Sequence, residues 1–165
     1  MSTSNPDRPE RMFRSGRPVD QVFSPEENLY FRYKDNETID GRIIPVGIRF
    51  PDFSVNRSKY SEPEDVLIPN YQEYGILTFK VKDIPAPERT NETTLYEWKA
   101  VHEPVDDNYS HSEVQTFKNG MYTKKLDVPK TLKKKFRVIL SERMSIIREP
   151  IKGSAESNAT PNQPE

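Results

Sequence analysis

The segment HEPVDDNYSHSEV at 102–114 holds both histidines of the chain, His102 and His111, with Glu103, Asp106, Asp107, Asn108 and Glu113 close by. Imidazole and carboxylate are the usual general acid and base, and both are proper ligands for zinc or ferrous iron. If strands over 95–102 and 111–118 pair across the loop 103–110, His102 and His111 lie opposite each other at its base. Period-two alternation then puts Glu113 on the same face as His111. His111, Glu113 and His102 are therefore the candidate catalytic residues. The competing reading is a polar connection in which Asp106, Asp107 and Asn108 make turns and the histidines hydrogen-bond at a sheet edge. The spacing matches no longer metal motif and the chain has no cysteine, so neither a metal nor a cofactor is assigned.

Two further groups carry charge that could meet a ligand. FSVNRSKYSEPED at 53–65 places Arg57 and Lys59 ahead of a predicted helix N-terminus, whose amides favour a phosphate or carboxylate. Arg32 and Arg49 could add to it, and Arg32, Arg57 and Lys59 are taken as candidate anion-binding residues. A solvated loop whose arginines pair with Glu and Asp is the alternative. Residues 118–148 carry ten Lys or Arg against Asp127 and Glu142 in a chain of net charge −1. Lys130, Lys134, Arg137 and Arg148 would share one face of a C-terminal helix and could lie on nucleic-acid phosphates. A nearly neutral whole, with no aromatic residues among those lysines, fits a solvated face better. There is no phosphate-binding glycine loop, Gly-x-Ser-x-Gly elbow, paired metal helix or cysteine nucleophile. Standard nucleotide hydrolase, serine hydrolase and zinc-protease readings thus lose their sequence support.

The elements that must position these residues follow from capping and periodicity. Ser24-Pro25-Glu26-Glu27 reads as a capping box opening a helix to about Tyr33, with Leu29 and Tyr33 facing the core. RIIPVGIRF, 42–50, reads as an edge or bulged strand because of Pro45 and Gly47. A second box, Ser61-Glu62-Pro63-Glu64, starts a short helix that Pro69 stops. GILTFKV, 75–81, alternates as a half-buried strand, and in LYEWKAVH the residues Tyr96, Trp98, Ala100 and His102 share one face. Asn119-Gly120 signals a hairpin pairing Phe117 with Tyr122. Pro129 begins a helix to about Ile147, with Leu132, Phe136, Ile139, Leu140 and Ile147 as its apolar stripe.

That order predicts an α+β fold: a mostly antiparallel sheet of four to five strands with flanking helices, forming one domain over 22–148. Residues 1–21 and 149–165 are poor in apolar side chains and are predicted to be disordered tails. No apolar run reaches a membrane span and no leader is evident, so a cytoplasmic location without membrane contact is expected. NLYFRY at 28–33, SVNR at 54–57, SEPEDVL at 61–67 and EPVDDNYSH at 103–111 together resemble small uncharacterised bacterial proteins. Those carry LYRR-like, SVxR, PEE-like and NxxH segments in this order. Phe31 and Glu103 depart from that pattern, which has arginine and aspartate there. The resemblance implies a bacterial, cytoplasmic protein and no particular chemistry. The functional expectation is a non-enzymatic accessory module that binds another protein through its sheet edge or aromatic face. The alternative is a small transferase or hydrolase acting on a phosphate-bearing, nucleotide-like substrate with Arg57, His111 and Glu113. Nucleic-acid binding by the basic helix is a third.

Overall fold

The computed structural model describes residues 8–35, 38–39, 42–43 and 47–151. Strand β1 is Asn28–Tyr33, and the short β2 (Thr38–Ile39) and β3 (Arg42–Ile43) pair with each other. β4 spans Asp52–Arg57, β5 Gly75–Lys80, β6 Glu88–Asn91 and β7 Thr94–His102. β8 is His111–Lys118, β9 Met121–Tyr122, α1 Lys130–Arg143 and β10 Ser145–Arg148. Eight strands join in one antiparallel sheet in the order β10, β5, β1, β4, β8, β7, β6, with β9 added to β8. The sheet curls as a half-barrel with one α-helix, so the expected four to five strands with flanking helices are not what forms.

The miscounted elements have identifiable causes. NLYFRY was expected as a helix because a serine, a proline and two glutamates precede it. Here Ser24 closes a turn instead, its Oγ accepting from the Glu26 amide at 3.2 Å and its carbonyl from the Glu27 amide at 3.1 Å. The Glu27 carboxylate, which a capping box would direct at the backbone, is taken by Arg57. Freed from that cap, the segment pairs along its whole length with β5, from Asn28↔Lys80 to Tyr33↔Gly75. DFSVNR is a central strand rather than a loop, with Phe53 and Val55 buried on one face and Asp52, Ser54 and Asn56 on the other. The C-terminal helix stops at Arg143, and SIIR, expected to continue it, pairs with β5 as an edge strand.

One face of the sheet carries the main core. Leu29, Phe31, Phe53, Val55, Leu77, Phe79, Tyr96, Trp98 and Val114 meet Leu132, Phe136 and Leu140 of α1. The Phe136 ring sits 4.8 Å from Trp98, 5.1 Å from Phe50 and 6.3 Å from Phe53. Burying one such ring contributes about 1.5–3 kcal/mol. The opposite face is covered only locally, where Val66 and Leu67 of the 3-10 turn Pro63–Leu67 pack on Tyr30 and Ile76. That turn is capped by Glu62 and Asp65 rather than by Ser61. The Asn119-Gly120 turn has positive φ at both residues, 52° and 81°, and sets Phe117 opposite Tyr122.

Residues 8–27 form a strap held against the sheet, so the described part of the tail expected over 1–21 is ordered on the domain. Arg11 makes two hydrogen bonds to Asp65, at 2.7 and 2.9 Å. The Gln21 amide imitates a neighbouring strand, donating to the His102 carbonyl and accepting its N–H, both at 2.9 Å. At the other terminus Ile151 donates to the Glu73 carbonyl at 3.0 Å, and residues 1–7 and 152–165 lie outside the described residues. Among the described residues no helix is long and apolar enough to cross a membrane.

Candidate functional site

The two histidines do not meet. β7 and β8 pair in the register Ala100↔Val114 and His102↔Ser112, one residue away from the alignment that would set His102 against His111. Because side chains alternate, that offset sends the rings to opposite faces. His102 falls on the core side and is 1% exposed. Its Nδ1 accepts the Asp20 amide at 2.9 Å, so the proton resides on Nε2, which donates to the Tyr109 carbonyl at 2.6 Å. The ring also stacks on Tyr60. Burial lowers its pKa, and the nearby Arg57 charge acts in the same direction. With both nitrogens committed, His102 is a neutral structural pin.

Arg57 is likewise enclosed. Its side chain is 0% exposed and shares the core face, since Leu29 pairs with Arg57 and His111 with Asn56. Its Nε and Nη2 donate to the two Glu27 oxygens at 2.8 and 2.9 Å, and Nη2 also reaches the Val22 carbonyl at 2.7 Å. Nη1 donates to the Asp20 carbonyl, and the guanidinium lies 3.8 Å above the Phe23 ring. Lys59 pairs with Asp20 at 3.0 Å. The Tyr60 hydroxyl, the Val22 amide and Lys59 hold the Asp20 carboxyl well below the usual carboxylate range. Arg57 and Lys59 thus fasten the strap, and of the three anion-binding candidates only Arg32 faces elsewhere.

The outer face is where chemistry is available. β1 and β4 pair at Leu29↔Arg57 and Tyr30↔Asn56, and beyond those residues the ladder ends. The strands part into a groove of about 910 Å³. Arg8, Arg32, Lys34 and Arg49 line it, with Tyr71, Tyr74, Ser54, Asn56, Asn108 and His111. Its two carboxylates are already engaged: Asp107 pairs with Arg8 at 3.3 Å, and Asp52 accepts the Tyr122 hydroxyl. The Arg32 guanidinium lies 3.8 Å over the Tyr71 ring and donates to the Val66 carbonyl at 3.0 Å. Burial lowers its pKa, and no ion pair joins it to a carboxylate among the described residues.

His111 and Glu113 share this outer face, as alternation along one strand requires. His111 Nδ1 lies 2.8 Å from the Glu103 carbonyl, and Nε2 lies 3.4 Å from Ser54 Oγ. Glu113 has its pKa raised by burial, with Asp52 and Glu103 adding to the rise, while a hydrogen bond from Gln115 opposes it. Ser54 is the residue that sequence reasoning missed. The alternation Phe53, Val55 against Ser54, Asn56 was a strand signal, masked by reading SVNR as a loop.

The basic face proposed for the C-terminal helix is broken up. Lys130 and Lys134 are exposed, but Arg137 donates to the Ile48 carbonyl at 2.8 Å, and Arg148 lies on β10, donating to the Gln72 carbonyl at 2.7 Å. Among the described residues no group of three or more His, Cys, Asp or Glu is arranged to hold a metal ion. Compared with protein-family models, curated proteins and solved structures, the chain matches none.

Proposed function

We propose that the protein is a binding module that takes a phosphate-bearing ligand in the outer-face groove. The observation that carries this is Arg32, a partly buried guanidinium with a carbonyl and an aromatic ring for partners but no counter-ion among the described residues. Removing a cation from water is costly unless an anion completes its shell, and a planar guanidinium fits phosphate in two-point fashion. The stacking on Tyr71 offsets part of that cost, at about 0.5–2 kcal/mol, and fixes the orientation of the fork. Lys34 and Arg49 line the same groove, so a ligand larger than one phosphate would meet further positive charge.

Titration calorimetry with inorganic pyrophosphate tests the reading. Saturable binding that weakens with salt and falls about tenfold or more in Arg32→Met is the expected result, in line with a charged hydrogen bond of about 1.5–3 kcal/mol. No binding at millimolar pyrophosphate, or equal binding by the variant, refutes it.

A second reading, a module that pairs with another protein strand, rests on the asymmetry of the sheet edges. β6 ends the sheet with the polar sequence ERTN, whereas β10 ends it with Ile146 and Ile147, both exposed, followed by exposed Ile151. Sedimentation over a range of concentrations would show self-association, abolished by Ile147→Lys, if the partner strand belongs to a second copy. A monomer throughout would rule that copy out.

A further inference from the structure

We infer that Ser54 and His111 form a nucleophile and base pair in the groove, and that the groove hydrolyses carboxylic esters bearing an anionic group. The choice of an anionic substrate rests on the binding reading above, while the nucleophile rests on geometry of its own. β4 and β8 pair Asn56 with His111 and Ser54 with Glu113, so Ser54 and His111 are diagonal neighbours on one face of adjacent strands. A carbonyl oxygen can only accept, so the 2.8 Å contact to Glu103 places the His111 proton on Nδ1. The basic nitrogen, Nε2, is thereby presented to Ser54 Oγ at 3.4 Å. This is the constellation of an activated serine, with a main-chain carbonyl in the orienting position. Glu113 interacts with the His111 charge, and its carboxylate would favour the imidazolium that forms during reaction.

The parted strands supply the rest. The Arg57 amide donates to the Ser110 carbonyl and the Thr116 amide to the Pro51 carbonyl, so the odd-numbered positions of β4 bond toward β8. Ser54, at an even position, turns its amide toward β1, beyond the last pair Tyr30↔Asn56. Once Ser54 Oγ attacks, the oxyanion on the substrate's former carbonyl oxygen would meet that N–H in the groove that Arg32 also lines.

The steps balance without a further reactant. Ser54 Oγ bonds to the ester carbonyl carbon as its proton passes to His111 Nε2, and the carbonyl π pair moves to oxygen. The carbon–oxygen bond to the alcohol then breaks, and the leaving oxygen takes the proton from Nε2. Water, deprotonated by the same nitrogen, attacks the acyl-serine and releases the acid, and Ser54 regains its proton. The sum is ester plus water to acid plus alcohol.

The test uses the full chain with a fluorophosphonate probe, read by intact mass and peptide mapping. One adduct on Ser54 is expected, absent in Ser54→Ala and formed about a hundredfold more slowly in His111→Gln, the usual size of a general-base contribution. Both variants alter exposed or half-exposed side chains, and their melting curves check that they fold. Turnover of 4-nitrophenyl succinate should exceed that of 4-nitrophenyl acetate, and Arg32→Met should abolish the preference. Absence of a Ser54 adduct, or labelling that His111→Gln leaves unchanged, overturns the pair. If pyrophosphate binds yet Ser54 does not react, the pair fails and anion binding stands. If Ser54 reacts but no anion binds, the pair stands and the anionic substrate class falls.

Discussion

Arg57→Met separates the structural arginine from the ligand-binding one. The substitution keeps an unbranched apolar stem over Phe23 but removes every donor of the guanidinium. It strands the Glu27 carboxylate, whose side chain is only 6% exposed, and frees the Val22 and Asp20 carbonyls. The carbonyls belong to the strap and can turn to water, so the main loss is the uncompensated carboxylate. Breaking a buried pair from one side costs about 3–5 kcal/mol. For a chain of this size, at about 2–4 °C per kcal/mol, the melting temperature should fall by roughly 6–20 °C. Urea unfolding gives the free energy, and adding Glu27→Gln to the variant should recover part of it, because the stranded charge is then gone. Trypsin reports on the strap itself, since Arg11 and Arg14 lie on it and should be cut faster once Arg57 is lost, whereas Arg8 and Arg17 precede prolines and resist cleavage. Pyrophosphate binding by the folded variant should match the parent. A loss below about 1 kcal/mol would refute the ion-pair reasoning, and loss of anion binding with stability intact would return Arg57 to the ligand site.

Three further outcomes are expected. His102 has its pKa lowered in the fold, so below about 6.5 the unfolded chain binds the proton more readily; stability should be complete above that pH and decline as pH falls through it, a slope that His102→Gln should flatten in urea titrations. At Gly75 an added Cβ would sit 2.4 Å from Tyr33 Cε1 and 2.7 Å from the Arg148 carbonyl, so Gly75→Ala should cost about 1–3 kcal/mol and loosen β10, visible as faster amide exchange at Ile146. The Thr116 hydroxyl is buried without a hydrogen-bond partner among the described residues, so Thr116→Val should stabilise the fold by roughly 1 kcal/mol, and a loss of that size in thermal melts would show that the hydroxyl is satisfied in solution.

Several local features were legible because they depend on neighbouring residues alone. The Asn-Gly turn demands two positive φ values, and it forms where expected with Phe117 opposite Tyr122. Alternation in GILTFK and the shared face of Tyr96, Trp98, Ala100 and His102 in LYEWKAVH marked two strands, and Ser61-Glu62-Pro63-Glu64 marked a short helical element that ends before Pro69, although Ser61 does not cap it. Alternation also placed His111 and Glu113 on one face. The tripeptide-scale signals failed where a distant charge competed for the same atom. Ser24-Pro25-Glu26-Glu27 has the composition of a helix start, but both Glu27 carboxylate oxygens accept from Arg57, thirty residues on, so neither is left for a cap worth about 0.5–2 kcal/mol.

The amino-acid sequence by itself determined which stretches alternate, where the chain turns, and that histidine, arginine and carboxylate are concentrated in a few polar segments. Tertiary structure alone decided which of them face one another. The pairing His102↔Ser112 differs by one residue from the alternative, and that single step sends His102 into the core and leaves His111 beside Ser54. Hydrogen-bond phase between two strands is set by the closure of the loop between them and by the sum of contacts on both faces, neither of which is local. The parting of β1 from β4 beyond Tyr30↔Asn56, which opens the groove around Arg32 and Ser54, is a property of two strands joined only through other elements and leaves no mark on either.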